Sequence, residues 1–210
     1  ASLPWEYPAS AVDELSRACD NGAIGVMVMA NIAGRHLTDD DFAPIWQAID
    51  DRGLPVLVHP SEPPGTPEMD MRKYSLTSTV GFMFDTTLAI SKMIYSGFLD
   101  RYPNLKIIAS HAGATLPFLA GRLDRSYEMT LHSQEVITIP PSEYLKRIYY
   151  DAVTYSQGAL ELCIEVGGVD KVMYGSDYPH DIGDMAGCLS RVDALPADQR
   201  QAVREDNARR

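Results

Sequence analysis

Short apolar runs alternate with amphipathic stretches along the whole chain. Residues 24–29, 55–59, 106–111, 148–153 and 171–176 are apolar or β-branched along most of their length, with no regular polar alternation. Strands covered by helices on both faces of a parallel sheet have this character, so each run predicts such a strand. The stretches between them predict helices over 8–20, 42–51, 79–99, 116–131 and 156–166, with a last helix after Pro196. Thr38 is the expected N-cap of the second helix, with Asp39, Asp40 and Asp41 in its first turn. Pro196 is expected at the first helical position of the last one. Gly97 is not expected to end the third helix.

Strands that alternate with helices imply βαβ units and an α/β fold, either a (β/α)8 TIM barrel or an open doubly wound sheet. No Gly-x-Gly-x-x-Gly turn follows a strand, which disfavours the dinucleotide-binding sheet. A barrel typically has eight strands in about 250 residues. Here there are 210 residues, five clear runs and a stub at 1–3. The expectation is one partial barrel domain over 1–210. Residues 60–67 hold four prolines and one glycine directly after a strand. Long loops of that kind line the active rim of a barrel.

Charge narrows the partners. The net charge is −11, so phosphate polymers and anionic membrane surfaces are repelled and no nucleic-acid or membrane partner is expected. No run approaches the ~20 apolar residues of a membrane span, and residues 1–4 do not open a secretory signal. Cys19, Cys163 and Cys188 are odd in number and widely spaced. That argues against a disulfide framework or a thiolate zinc site, and for a reducing, cytoplasmic setting.

Three strand runs end in chemistry. The run Val56-Leu57-Val58 ends in His59. The run Ile107-Ile108-Ala109-Ser110 ends in His111, and Val172-Met173-Tyr174-Gly175-Ser176 ends in Asp177, with His180 three residues on. In a parallel barrel these ends share one rim, where catalytic groups from different strands converge. Imidazole and carboxylate suit Zn²⁺ and similar first-row ions. A histidine outside the ligand set can move a proton near neutral pH. His180 adjoins Asp177 and is a candidate pocket residue. Asp151, at the end of 148–153, either supports a site residue from behind or makes a structural loop hydrogen bond, and the loop bond is the expectation.

His59-Pro60, Ser110-His111-Ala112-Gly113, Gly121-Arg122-Leu123-Asp124-Arg125 and Gly175-Ser176-Asp177-Tyr178-Pro179-His180 resemble the amidohydrolase-2 family. This is the metal-dependent set that includes aminocarboxymuconate-semialdehyde decarboxylase and the resorcylate and carboxyvanillate decarboxylases. The resemblance extends to Thr79-Val80-Gly81-Phe82, to 85–90 and to 99–106, and so covers nearly the whole chain. It implies a (β/α)8 barrel, of which this sequence covers about the third to eighth strands, and one divalent ion, zinc or alternatively manganese. His59 and Asp177 match metal ligands, with Asp177 also catalytic. His111 matches the proton-transferring histidine. Arg122 matches an arginine that reaches a substrate carboxylate across a dimer interface, or it forms a surface ion pair with Asp124 or Glu128. Tyr155 and Asn31 follow strands of the barrel and are candidate substrate contacts beside His180.

The family's first-strand ligand pair, His-x-His or Glu-x-His, has no counterpart here, so the sequence resembles a piece of a barrel. The resemblance implies decarboxylation of a small aromatic or ring-cleavage carboxylic acid, by a homodimer or higher homo-oligomer. The alternatives are a hydrolase that uses a metal-activated water, and an inactive barrel that serves as a binding subunit.

Overall fold

A computed structural model describes residues 1–209 and divides into two compact units. The first is formed by Ala1–Ile108 with Thr130–Thr138, and the second by Ala109–Met129 with the chain from Ile139 on. The expected α/β class is what the chain adopts.

The first unit holds α1 (Pro8–Asp20), β1 (Val26–Met29), α2 (Ala43–Asp50), β2 (Pro55–His59), α3 (Phe82–Tyr95) and β3 (Lys106–Ala109), the last of which runs into the second unit. β1 and β2 are parallel, with Val26 opposite Val56 and Met29 opposite His59, and β3 is next to β2 in the sheet order. The stub at 1–3 contributes a single parallel bridge from Ser2 to Met27. Although β2 is apolar until its last residue, Val56 and Val58 are fully buried while Leu57 and His59 are half-buried. Its two faces therefore differ more than the unbroken run implied.

An aromatic chain fills this unit's core. Trp5 packs against Phe42 and Trp46 with ring centroids 5.8 and 4.7 Å apart, and Trp46 meets Phe98 edge-on at 5.1 Å. Such pairs add directional energy to burial. The indole N–H of Trp46 donates to the Leu37 carbonyl at 2.7 Å, so its one polar atom is satisfied.

Three local expectations change. The cap before α2 belongs to Asp39, whose carboxylate accepts from the Asp41 N–H, and not to Thr38. Helix 79–99 is broken: α3 ends before Gly97, whose φ of 69° is open to glycine at little cost, and a short turn, Phe98–Arg101, follows. Pro196 sits outside its helix at the N-cap, with an extended backbone.

The second unit holds α4 (Leu116–Met129), β4 (Tyr149–Asp151), α5 (Gln157–Gly167), β5 (Val172–Met173), α6 (Met185–Asp193) and α7 (Ala197–Arg204). β4 and β5 are parallel, Tyr150 opposite Val172 and Asp151 opposite Met173. β5 is shorter than 171–176 because the Tyr174 N–H turns to the Val203 carbonyl at the end of α7. α5 starts at a Ser156 cap, whose hydroxyl accepts from the Ala159 N–H. Among the described residues no helix is long and apolar enough to cross a membrane, and all three cysteines are free thiols.

Candidate active site

Each unit presents part of the predicted constellation. In the first, His59 ends β2, and its Nδ1 lies 2.9 Å from the Pro60 carbonyl. Donation from Nδ1 fixes the tautomer and leaves Nε2 as the basic nitrogen, the arrangement a metal-ligating histidine uses. The loop that follows is tied down by Asp85. That buried carboxylate accepts from the Ser61 N–H at 3.0 Å and from Asn31 Nδ2 at 3.0 and 3.1 Å. Asn31 also reaches Ser61 Oγ and the Glu62 carbonyl, and its own oxygen accepts from the Gly34 N–H. The structure therefore places Asn31 inside a loop-holding network. Asp85 opens the family-like run 85–90, but sequence reasoning gave it no role.

In the second unit, β3 leads into Ser110–Gly113, which carries His111. The strand stops at Ala109, earlier than the apolar run suggested. His111 Nε2 lies 3.6 Å from Asp177 Oδ1, with side chains 11% and 9% exposed. A carboxylate at this range faces the imidazole and keeps the ring aimed. Asp151 accepts from the backbone N–H groups of His111, Ala112 and Val153 at 2.9, 2.9 and 3.0 Å. Desolvation outweighs those bonds and pushes its carboxyl above the ordinary carboxylate range.

Asp177 and His180 come from one tightly folded loop. Asp177 has a φ of 61°. The His180 N–H donates to the Asp177 carbonyl at 2.9 Å, and the Asp184 N–H to the Ser176 carbonyl at 3.0 Å. A side chain at Gly183 would meet the Asp177 carbonyl oxygen at 2.8 Å, so only glycine fits beneath the loop. Asp184 caps α6 through the Gly187 N–H and binds Arg191; these two contacts hold its carboxyl below the ordinary range. The Tyr155 hydroxyl donates to the Ile182 carbonyl at 2.9 Å. Burial, then the charge of Asp177, raises the tyrosine's pKa. Tyr155 thus straps the loop, and its ring is 52% exposed.

The donors suit a divalent first-row ion. Asp177 and His180 offer ligand atoms within 4.8 Å of one another, and imidazole nitrogen with carboxylate oxygen is a zinc or manganese set. His180, the candidate pocket residue, is exposed on the turn that follows Asp177. Arg122 lies exposed on α4 and makes no ion pair among the described residues. Its sequence neighbours are engaged elsewhere, Asp124 with the Ser142 N–H and Glu128 with Arg125.

A family model described as an amidohydrolase matches residues 1–210. The chain is 32% identical over 186 residues to 2-amino-3-carboxymuconate-6-semialdehyde decarboxylase of Dictyostelium discoideum, covering 88% of this chain and 51% of that protein. It resembles the crystal structure of 5-carboxyvanillate decarboxylase from Sphingomonas paucimobilis with a TM-score of 0.89 and 29% identity, over 99% of this chain and 64% of that one. A 5-carboxyvanillate decarboxylase from Novosphingobium aromaticivorans, solved with manganese and 3-methoxy-4-hydroxy-5-nitrobenzoic acid, matches at 0.87 and 26%, over 100% and 63%. The chain therefore spans about half to two thirds of the length of these relatives.

Proposed function

The chain belongs to the amidohydrolase family, and on that footing we propose that the whole protein is a metal-dependent decarboxylase of a small aromatic or ring-cleavage carboxylic acid. The single observation that carries the reading is His111 Nε2 at 3.6 Å from Asp177 Oδ1, both side chains about nine-tenths enclosed. The printed activities of the Dictyostelium, Sphingomonas and Novosphingobium proteins support the choice of reaction.

His59 and Asp177 are the proposed metal ligands, with His180 beside Asp177. When bound, a divalent ion supplies positive charge that polarises the substrate's oxygens. The manganese in the Novosphingobium structure supports manganese as much as zinc. His111 delivers a proton to the carbon that loses its carboxyl group. The bond to that group breaks, carbon dioxide leaves, and the electron pair left on carbon takes the His111 proton; solvent then reprotonates the ring. Asp177, facing His111 at 3.6 Å, keeps the imidazole aimed for that transfer. Arg122, exposed on α4, is the proposed contact for a carboxylate held between two copies, which makes the working assembly a homodimer or larger. The partial barrel is proposed as one domain over 1–210.

The test uses the native-length protein, assayed for carbon dioxide release from hydroxylated benzoates and from a carboxymuconate semialdehyde, before and after chelation. Release that stops on chelation and returns with zinc or manganese is expected, with near-stoichiometric metal in the wild type and little in His59→Ala. Hydrolysis of an ester or amide without carbon dioxide release would replace this reading with the hydrolase one.

A further inference from the structure

The segment that carries His111 has an uncommon backbone. His111 adopts φ 54°, ψ 49°, and Ala112 φ 53°, ψ 31°. Gly113 follows at φ 74° and Ala114 at φ 57°. Residues 111–113 form one turn of left-handed helix in which two of the three positions carry a Cβ. Such residues visit this region singly and at a cost, because Cβ crowds the following carbonyl. A turn like this persists only where its surroundings over-determine it.

The surroundings here are two adjacent residues of β4. Asp151 accepts both leading N–H groups of the turn, those of His111 and Ala112, and fixes itself to the strand end through the Val153 N–H. Tyr150 packs against the far side of the turn, where a Cβ at Gly113 would lie 2.7 Å from its ring. The ring is anchored by its hydroxyl, which donates to the Leu145 carbonyl at 2.6 Å. Room for Asp151 comes from Gly175, where a Cβ would stand 3.0 Å from the Asp151 Cβ. A carboxylate is the group for this place: it offers only acceptors to three converging donors, and an amide would turn an N–H₂ toward at least one of them.

We infer that Asp151 is a positioning residue for His111: it holds the left-handed turn whose geometry sends the imidazole to Asp177. This rests on the proton-transfer role given to His111 above, and it adds a residue that touches neither substrate nor metal. A charge-assisted clamp on two consecutive N–H groups fixes the direction of the Cα–Cβ bond at residue 111. Without it the turn relaxes toward ordinary backbone, and the ring swings off its line to Asp177.

The test substitutes Asp151→Asn in the native-length, metal-loaded protein. The expected result is a kcat reduced by at least about tenfold, the scale on which supporting hydrogen bonds act at metal sites, with KM and bound metal unchanged. Amide hydrogen exchange at His111 and Ala112 should quicken, while that of the β1–β2 ladder does not. Ala112→Gly added to Asp151→Asn eases the left-handed backbone and should return part of the lost kcat. If Asp151→Asn does not fold, wild-type exchange decides: the His111 and Ala112 amides must be as protected as strand amides. Rapid exchange there in the wild type, a wild-type kcat in Asp151→Asn, or a loss shared equally by kcat, KM and metal content would each overturn the inference. A wild type that releases no carbon dioxide would instead defeat the decarboxylase reading and leave the exchange result standing.

Discussion

Two carboxylates, one in each unit, clamp the chain just after a strand, and they do it differently. Asp85 reaches the loop after His59 mainly through side chains, Asn31 and Ser61, with one backbone N–H. Asp151 reaches the turn around His111 through two backbone N–H groups and no side chain, and accepts a third N–H from Val153 beside its own strand. The loop after His59 keeps ordinary backbone from Pro60 to Pro64, whereas 111, 112 and 114 have positive φ without being glycine. The first clamp holds a loop whose backbone from Pro60 to Pro64 is relaxed on its own. The second enforces a conformation the chain resists. Removing the first should therefore be felt as stability and in the holding of His59, and removing the second as catalysis.

The largest stability effect is expected from Asp85→Ala. It strands the Ser61 N–H and takes from the Asn31 amide its bonds to the carboxylate, leaving it Ser61 Oγ and the Glu62 carbonyl, and a buried unsatisfied group costs about 1–3 kcal/mol. Chemical denaturation should show that loss, with metal affinity falling as the loop after His59 loosens. Equal losses of stability in Asp85→Ala and Asp151→Asn would erase the distinction between the clamps. Next comes Gly167→Ala on α5, where a new Cβ would collide with the Tyr150 ring. Overpacking of that kind costs about 1–3 kcal/mol, and because the ring supports the turn at Gly113, kcat should fall with it. Gly121→Ala is the counter-control. Nothing lies within 4 Å of a Cβ there, so the exchange on exposed α4 should raise stability by about 0.5–1 kcal/mol.

Two smaller effects sharpen the picture of the second unit. Cys163 is fully buried, and desolvation, aided by the charge of Asp151, pushes its thiol far above the ordinary range. Iodoacetamide near pH 8 should therefore modify Cys19 in the native protein and spare Cys163 and Cys188, as peptide mass spectrometry can read. Asp184 carries the opposite shift. Its folded pKa is lowered, first by the Gly187 N–H and then by Arg191. Its contribution is thus present above the unfolded pKa and is lost as pH falls through the lower, folded value. Exchange at the Gly187 amide should quicken only in that acid window, and not in Asp184→Ala, where the cap is already gone.

Much of the fold was legible because hydrophobic pattern reports burial. Helix 8–20 and strand 55–59 match α1 and β2 residue for residue. Misread ends have local causes: a glycine at φ 69° splits helix 79–99, and the left-handed turn at His111 cuts strand 106–111 short. The candidate residues His59, His111 and Asp177 were legible because each is a reactive side chain that closes an apolar run. Tyr155 was expected near the substrate, and its hydroxyl is used to hold Ile182. The loop hydrogen bond expected of Asp151 is present, but which N–H groups it takes was not legible, and Asp85 was harder to find, because such partners lie far along the chain, where no spacing rule encodes them. The same holds for Gly175 and Gly183, whose missing side chains matter only once the chain is folded against them.

The central claim is that His111 transfers the proton, and His111→Asn in the native-length, metal-loaded protein tests it most directly. Turnover of the best carboxylic acid substrate should fall by about 100- to 10,000-fold, the usual worth of a general acid, while metal content and melting temperature stay at wild-type values. Turnover within a few-fold of wild type, with metal still bound, would contradict the account and move the proton donor elsewhere.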